Sequence, residues 1–129
     1  MSFPPITAFL AAAYAILMVA LSVQTSIRRR ALRVSTGDGD DETLRRRIRA
    51  HGNFSEYAAL ALSVLALVEL SGAARINVCA LASAFLLARL LHAVGMLYVS
   101  GPALRAAGMI LQHAGFVFGA VLLIKRAVY

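Results

Sequence analysis

Three short polar patterns in this sequence carry groups able to do chemistry. Arg49, Asn53 and Glu56 follow one another at i, i+4 and i+7, which on an α-helix places a cation, an amide and a carboxylate on one face. Tyr57 extends that face. Arg89, His92 and Met96 make a second stripe at i, i+3 and i+7, and Arg105 follows shortly after Pro102. Arginine matches a carboxylate with a planar, two-pronged donor array, while Glu56 and Asn53 can hold an ammonium and an amide. A zwitterionic peptide with two carboxylates has the complementary groups. An arginine beside a helix N-terminus can also stabilise a thiolate, by the electrostatics that lower the pKa of cysteines at such positions. One carboxylate among Arg49, Arg89 and Arg105 leaves positive charge over for an anionic ligand. The competing reading is an internal network in which Glu56 pairs with Arg49 or Arg89.

The elements that position these residues are apolar. Of 129 residues, 60% are hydrophobic and 15% charged, and the mean hydropathy is +0.77. A single soluble core of this length could not hide so much Leu, Ala and Val, so lipid is the solvent to expect. Ile6 to Val23 is free of charge and, at about 1.5 Å per residue, nearly crosses a hydrocarbon core of roughly 30 Å. Pro4 and Pro5 suit the start of that helix. Arginines follow the run and none precedes it, the reverse of a cleaved secretory signal, which predicts a retained helix. A second helix begins near Thr43 with an arginine-rich half, continues through apolar Ala58 to Val68, and ends at Ser71-Gly72. A third runs from Ala74 to Tyr98, and a fourth from Pro102, with Gly101-Pro102 between them. The expected fold is all-α: one integral membrane four-helix domain with helices over residues 5–34, 43–71, 74–98 and 102–127 and a polar loop over residues 35–42.

Basic residues orient it. Arg28, Arg29, Arg30, Arg33, Arg45, Arg46, Arg47 and Arg49 flank the first loop, against Lys125 and Arg126 at the far end. Lys and Arg near helix ends are retained on the cytoplasmic side, so the loop is expected there, with both termini on the other side. The Arg49, Arg89 and Arg105 clusters then share the cytoplasmic side. Arginines at such a boundary also snorkel and contact anionic lipid without any catalytic duty. Nucleic acid is not expected as a partner despite a pI of 10.8, because the basic residues hug membrane boundaries without interleaved aromatic side chains.

The segment Arg49-Ala50-His51-Gly52-Asn53-Phe54-Ser55-Glu56-Tyr57 resembles the R-A-x-x-N-x-x-E-Y signature of the membrane-associated proteins in eicosanoid and glutathione metabolism (MAPEG), which include microsomal glutathione transferases and leukotriene C4 synthase. Arg29-Arg30-Ala31-Leu32-Arg33-Val34, Ala88-Arg89-Leu90-Leu91-His92 and the Pro102 to Arg105 entry to the fourth helix are similar to family segments in the same order. The resemblance implies a homotrimer of four-helix subunits binding glutathione as co-substrate between neighbours, near the cytoplasmic face. Arg49, Asn53, Glu56 and Tyr57 would grip glutathione, and Arg89 and His92 would line the same pocket. Arg105 would stabilise the glutathione thiolate, which attacks a lipophilic electrophile or reduces a lipid hydroperoxide arriving from the bilayer. Arg30 joins Arg105 among the catalytic candidates; Arg29 or Arg30, and His51, would reach over from the adjacent subunit. Likeness to bacterial-type members implies an inner-membrane, multi-pass protein. Met96 stands where many relatives have tyrosine, and Ala58-Ala59 where a proline follows the signature.

Other features have simpler readings. Cys79 is a lone cysteine in an apolar run and fits a core position. Asp38, Asp40, Asp41 and Glu42 lack the spacing of an EF-hand and read as a solvated turn, while Gln112 and His113 suit hydrogen bonds between helices, so no metal is expected. Glu69 lies thirteen residues beyond Glu56, roughly 20 Å along the helix, and belongs to the opposite membrane boundary. Gly115 and Gly119 form a G-x-x-x-G pair suited to close packing. Two rival functions remain: a non-catalytic structural or lipid-binding trimer, and a small-molecule transporter. Small multidrug exporters place their essential glutamate in the first helix, and Ile6 to Val23 has no acidic residue.

Overall fold

Between Pro5 and Leu32 there is no glycine or second proline, and a charge first appears at Arg28, so nothing interrupts a long apolar helix. The computed structural model describes residues 3–128, and that segment is α1 (Pro5–Leu32), followed by α2 (Glu42–Leu70), α3 (Arg75–Leu97) and α4 (Ala103–Val128). No strand occurs among the described residues. All four helices are long and apolar enough to cross a membrane. The protein is an all-α membrane four-helix bundle.

α1 opens with Pro5 in its first turn, where a missing N–H costs nothing. The next donors find a partner on another helix. The Ile6 and Thr7 backbone N–H groups donate to Glu69 at 2.9 and 2.7 Å, and the Thr7 hydroxyl donates to the same carboxylate at 2.7 Å. A carboxylate from the last turn of α2 thus caps α1 and complements its dipole. The other end of α1 closes in a left-handed turn at Arg33, φ 57°. There the Arg33 and Val34 N–H groups return to the Arg30 and Arg29 carbonyls at 3.2 and 3.0 Å.

The α1–α2 loop is clasped by charge. Asp41 caps α2 by accepting from the Leu44 N–H at 2.6 Å, and it also receives Arg28 Nε at 3.1 Å and Nη2 at 2.6 Å. Arg45 Nε donates to Asp38 at 2.6 Å. The Arg28 guanidinium holds the Asp41 carboxyl below the usual carboxylate range, and Arg45 does the same for Asp38.

α2 and α3 form the middle of the bundle. α1 packs on both of them, α4 packs on both from elsewhere, and among the described residues α1 and α4 make no close backbone approach to each other. The core is built from Leu10, Tyr14 and Leu21 of α1, Phe54, Ala61 and Leu65 of α2, and Val78, Leu81 and Phe85 of α3. α4 meets this core with the partly buried Phe116, Leu122 and Leu123, the buried Gln112, and glycines. A Cβ at Gly108 would lie 2.7 Å from the Ala88 carbonyl oxygen, and one at Gly115 would lie 2.7 Å from the Phe85 ring. These approaches let the α3 and α4 backbones meet closely. Phe9, Ile16, Ile110, Val117 and Ile124 point outward, as side chains facing lipid do.

Candidate functional site

At the end of the bundle that carries the α1–α2 loop, three helices leave a cavity of about 470 Å³. α2 contributes Ile48, Arg49, Gly52, Asn53 and Glu56, which its 3.6-residue period puts on one side. α3 contributes His92 and Met96 from its last turns, and α4 contributes Arg105 from its first. Gly52 widens the opening, since a Cβ there would meet nothing within 4 Å. Outside the cavity, Arg46 Nη2 donates to the Val99 carbonyl at 2.9 Å and joins α2 to the α3–α4 turn.

Arg89 lies behind this cavity, 1% exposed. Its Nη1 donates to Asn53 Oδ1 at 2.7 Å, its Nη2 approaches Met109 Sδ at 3.8 Å, and its guanidinium sits 5.0 Å from the centroid of the Tyr57 ring. Nε has no partner. With Oδ1 engaged, the side-chain nitrogen of Asn53, a residue that lines the cavity, remains as a donor. Tyr57 is held on its other sides by Phe116, stacked at 6.2 Å, and His113, edge-on at 5.9 Å.

The charges around the opening are not neutralised internally. Among the described residues the ion pairs all join Arg28, Arg45 or Arg46 to the acidic residues from Asp38 to Glu42. The internal pairing of Glu56 with Arg49 or Arg89 does not form. Arg105 Nη1 instead contacts Met96 Sδ at 3.5 Å. A cavity with two arginines, one carboxylate and one free amide in its wall can receive a molecule bearing both acidic and cationic groups.

The sequence model of the MAPEG family matches residues 7–125, nearly the whole chain. The chain belongs to the MAPEG family. No curated protein matches it. As a MAPEG protein with four helices able to span a bilayer, it is an integral membrane protein in contact with lipid, in a family of glutathione-related transferases and synthases.

Within this MAPEG chain, Arg49, Asn53, Glu56, His92 and Arg105 share one cavity wall. Arg89 and Tyr57 stand directly behind it, joined to it through Asn53. His51, Arg29 and Arg30 are elsewhere in the chain. The carbonyl of half-buried His51 accepts from the Ser55 hydroxyl at 2.9 Å. Arg29 Nη1 donates to the Gly37 carbonyl at 2.7 Å, and Arg30 is exposed. Both arginines line a shallow depression beside Arg33 and Ser35. Ile48 and Gly52, whose side chains carry no polar group to mark them in the sequence, also form the wall. Gly52 lies three positions after Arg49 and Ile48 lies four before Gly52, so the helical period carries the wall round to them.

Proposed function

We propose that this protein is a glutathione-dependent transferase or peroxidase acting on lipophilic electrophiles or lipid hydroperoxides. The observation that carries the reading is the cavity that gathers Arg49, Asn53, Glu56, His92 and Arg105 at one end of the bundle. Its charge pattern fits glutathione group by group. Arg49 matches a carboxylate, Glu56 the ammonium, and the free Asn53 amide a peptide carbonyl. Arg105, in the first turn of α4, brings a guanidinium and a helix N-terminus to the remaining side, where both favour a thiolate over a thiol. Arg89 and Tyr57 hold this grip from behind, through Asn53.

In this reading the active unit is a homotrimer. Arg29, Arg30 and His51 of one protomer serve the cavity of a neighbour, and Arg30 acts beside Arg105. The loop clasped by Arg28 and Asp41 faces the cytoplasm, both termini face away from it, and the membrane is the bacterial inner membrane. The lipophilic substrate reaches the thiolate from the bilayer, where its solubility concentrates it.

Activity tests this directly. Detergent-purified protein is expected to conjugate chlorodinitrobenzene to glutathione, or to reduce cumene hydroperoxide at glutathione's expense, with turnover lost in Arg105→Ala. Absence of both activities in a sample that binds glutathione would remove the enzymatic reading.

A further inference from the structure

Arg105 is held by two neighbours on α3 that differ in kind. The first is steric. Gly95 is buried, and a Cβ added there would lie 2.9 Å from both Cγ and the backbone nitrogen of Arg105, and 3.2 Å from the Leu104 carbonyl carbon. Carbon atoms do not approach backbone so closely, so any side chain at position 95 would have to displace the first turn of α4. The second is chemical. Arg105 Nη1 contacts Met96 Sδ at 3.5 Å, and among the described residues no carboxylate lies within ion-pair distance of this guanidinium.

We infer that Gly95 and Met96 are positioning residues for Arg105: the glycine admits the first turn of α4 against α3, and the thioether accepts from the guanidinium so that it faces the cavity. A thioether suits this task because it accepts weakly and donates nothing. A carboxylate in its place would cancel the positive charge of Arg105, whereas sulfur occupies one donor and leaves the others, and the full charge, for an anion. The inference rests on the proposed role of Arg105 toward a thiolate, and it adds what aims that residue.

The test compares wild type with Met96→Leu, which keeps the side-chain volume but removes the acceptor, and Met96→Gln, which restores an acceptor of similar reach. At saturating glutathione, the ultraviolet absorbance of the thiolate is titrated against pH. Met96→Leu is expected to move the midpoint of the thiolate titration up by about one pH unit, a tenfold change in the ionisation constant. Met96→Gln is expected to return close to wild type. On the same samples without glutathione, phenylglyoxal labelling is mapped by peptide mass. Arg105 is expected to react faster in Met96→Leu and in Gly95→Ala, with Arg49 as the internal control. Titration and labelling curves of Met96→Leu that superimpose on wild type overturn the inference. A wild-type protein that shows no thiolate sinks the proposed function instead, and the labelling comparison then decides the positioning by itself.

Discussion

Arg89 is the residue whose placement most constrains the rest of the site. A guanidinium removed from water inside a membrane bundle needs its charge compensated, and here one amide oxygen and one aromatic face supply that compensation although Nε has no hydrogen-bond partner among the described residues. Asn53→Ala removes the short acceptor and leaves the cation facing a void. We expect it to destabilise the protein by about 3 kcal/mol, in the range for breaking a buried charged contact. The check is the thermal midpoint of the detergent-solubilised protein; an unchanged midpoint would show that Tyr57 and Met109 suffice to hold Arg89. The i, i+4, i+7 spacing of Arg49, Asn53 and Glu56 makes their shared wall legible in the sequence, because one helix determines it. The inward turn of Arg89 behind Asn53 is not legible there, since it depends on which side of α3 meets α2. Arg29 is a similar case: its partner, the Gly37 carbonyl, follows from the path of the loop.

At the scale of elements, the helices are legible wherever a run is long and uncharged, as in Ile6 to Val23, because hydropathy and length alone decide whether a segment can span lipid. The fastenings between them are not. Glu69 is readable as a residue of the far membrane boundary, but its capping of α1 requires two helix ends to meet in space. The same holds for the clasp of Arg28 on Asp41, thirteen positions apart. That clasp has a pH signature. The folded pKa values of Asp41 and Asp38 lie below the unfolded value of about 3.9. Their contribution is therefore fully present above about pH 4 and is lost as pH falls through the folded values. Limited proteolysis of the loop at residues 33–41 with an acid-active protease is expected to accelerate on acidification below about pH 4. Asp41→Asn, which cannot titrate, is expected to be cut readily at every pH; identical pH profiles for the two proteins would contradict the clasp.

Among the described residues the two outer helices, α1 and α4, do not approach each other closely, and much of the apolar surface faces outward. Lipid can cover such a surface, and so can copies of the same chain. The proposed trimer is checked by native mass spectrometry of protein released from mild detergent, where three protomers are expected; a monomer that still binds glutathione would mean that one chain's cavity is sufficient. The net formal charge of +7 is concentrated toward the end that carries the loop and the cavity, where it draws anions regardless of their identity. In the proposed reading, specificity comes from the geometry of Arg49, Glu56 and Asn53. The most direct test of that claim is calorimetric titration of glutathione into the purified protein, with Arg49→Ala and Glu56→Gln alongside. We expect saturable binding in wild type, weakened at least about tenfold in each variant, the loss expected for one charge-assisted hydrogen bond. No heat of binding at millimolar glutathione, or affinity that is the same in all three proteins, would contradict the account.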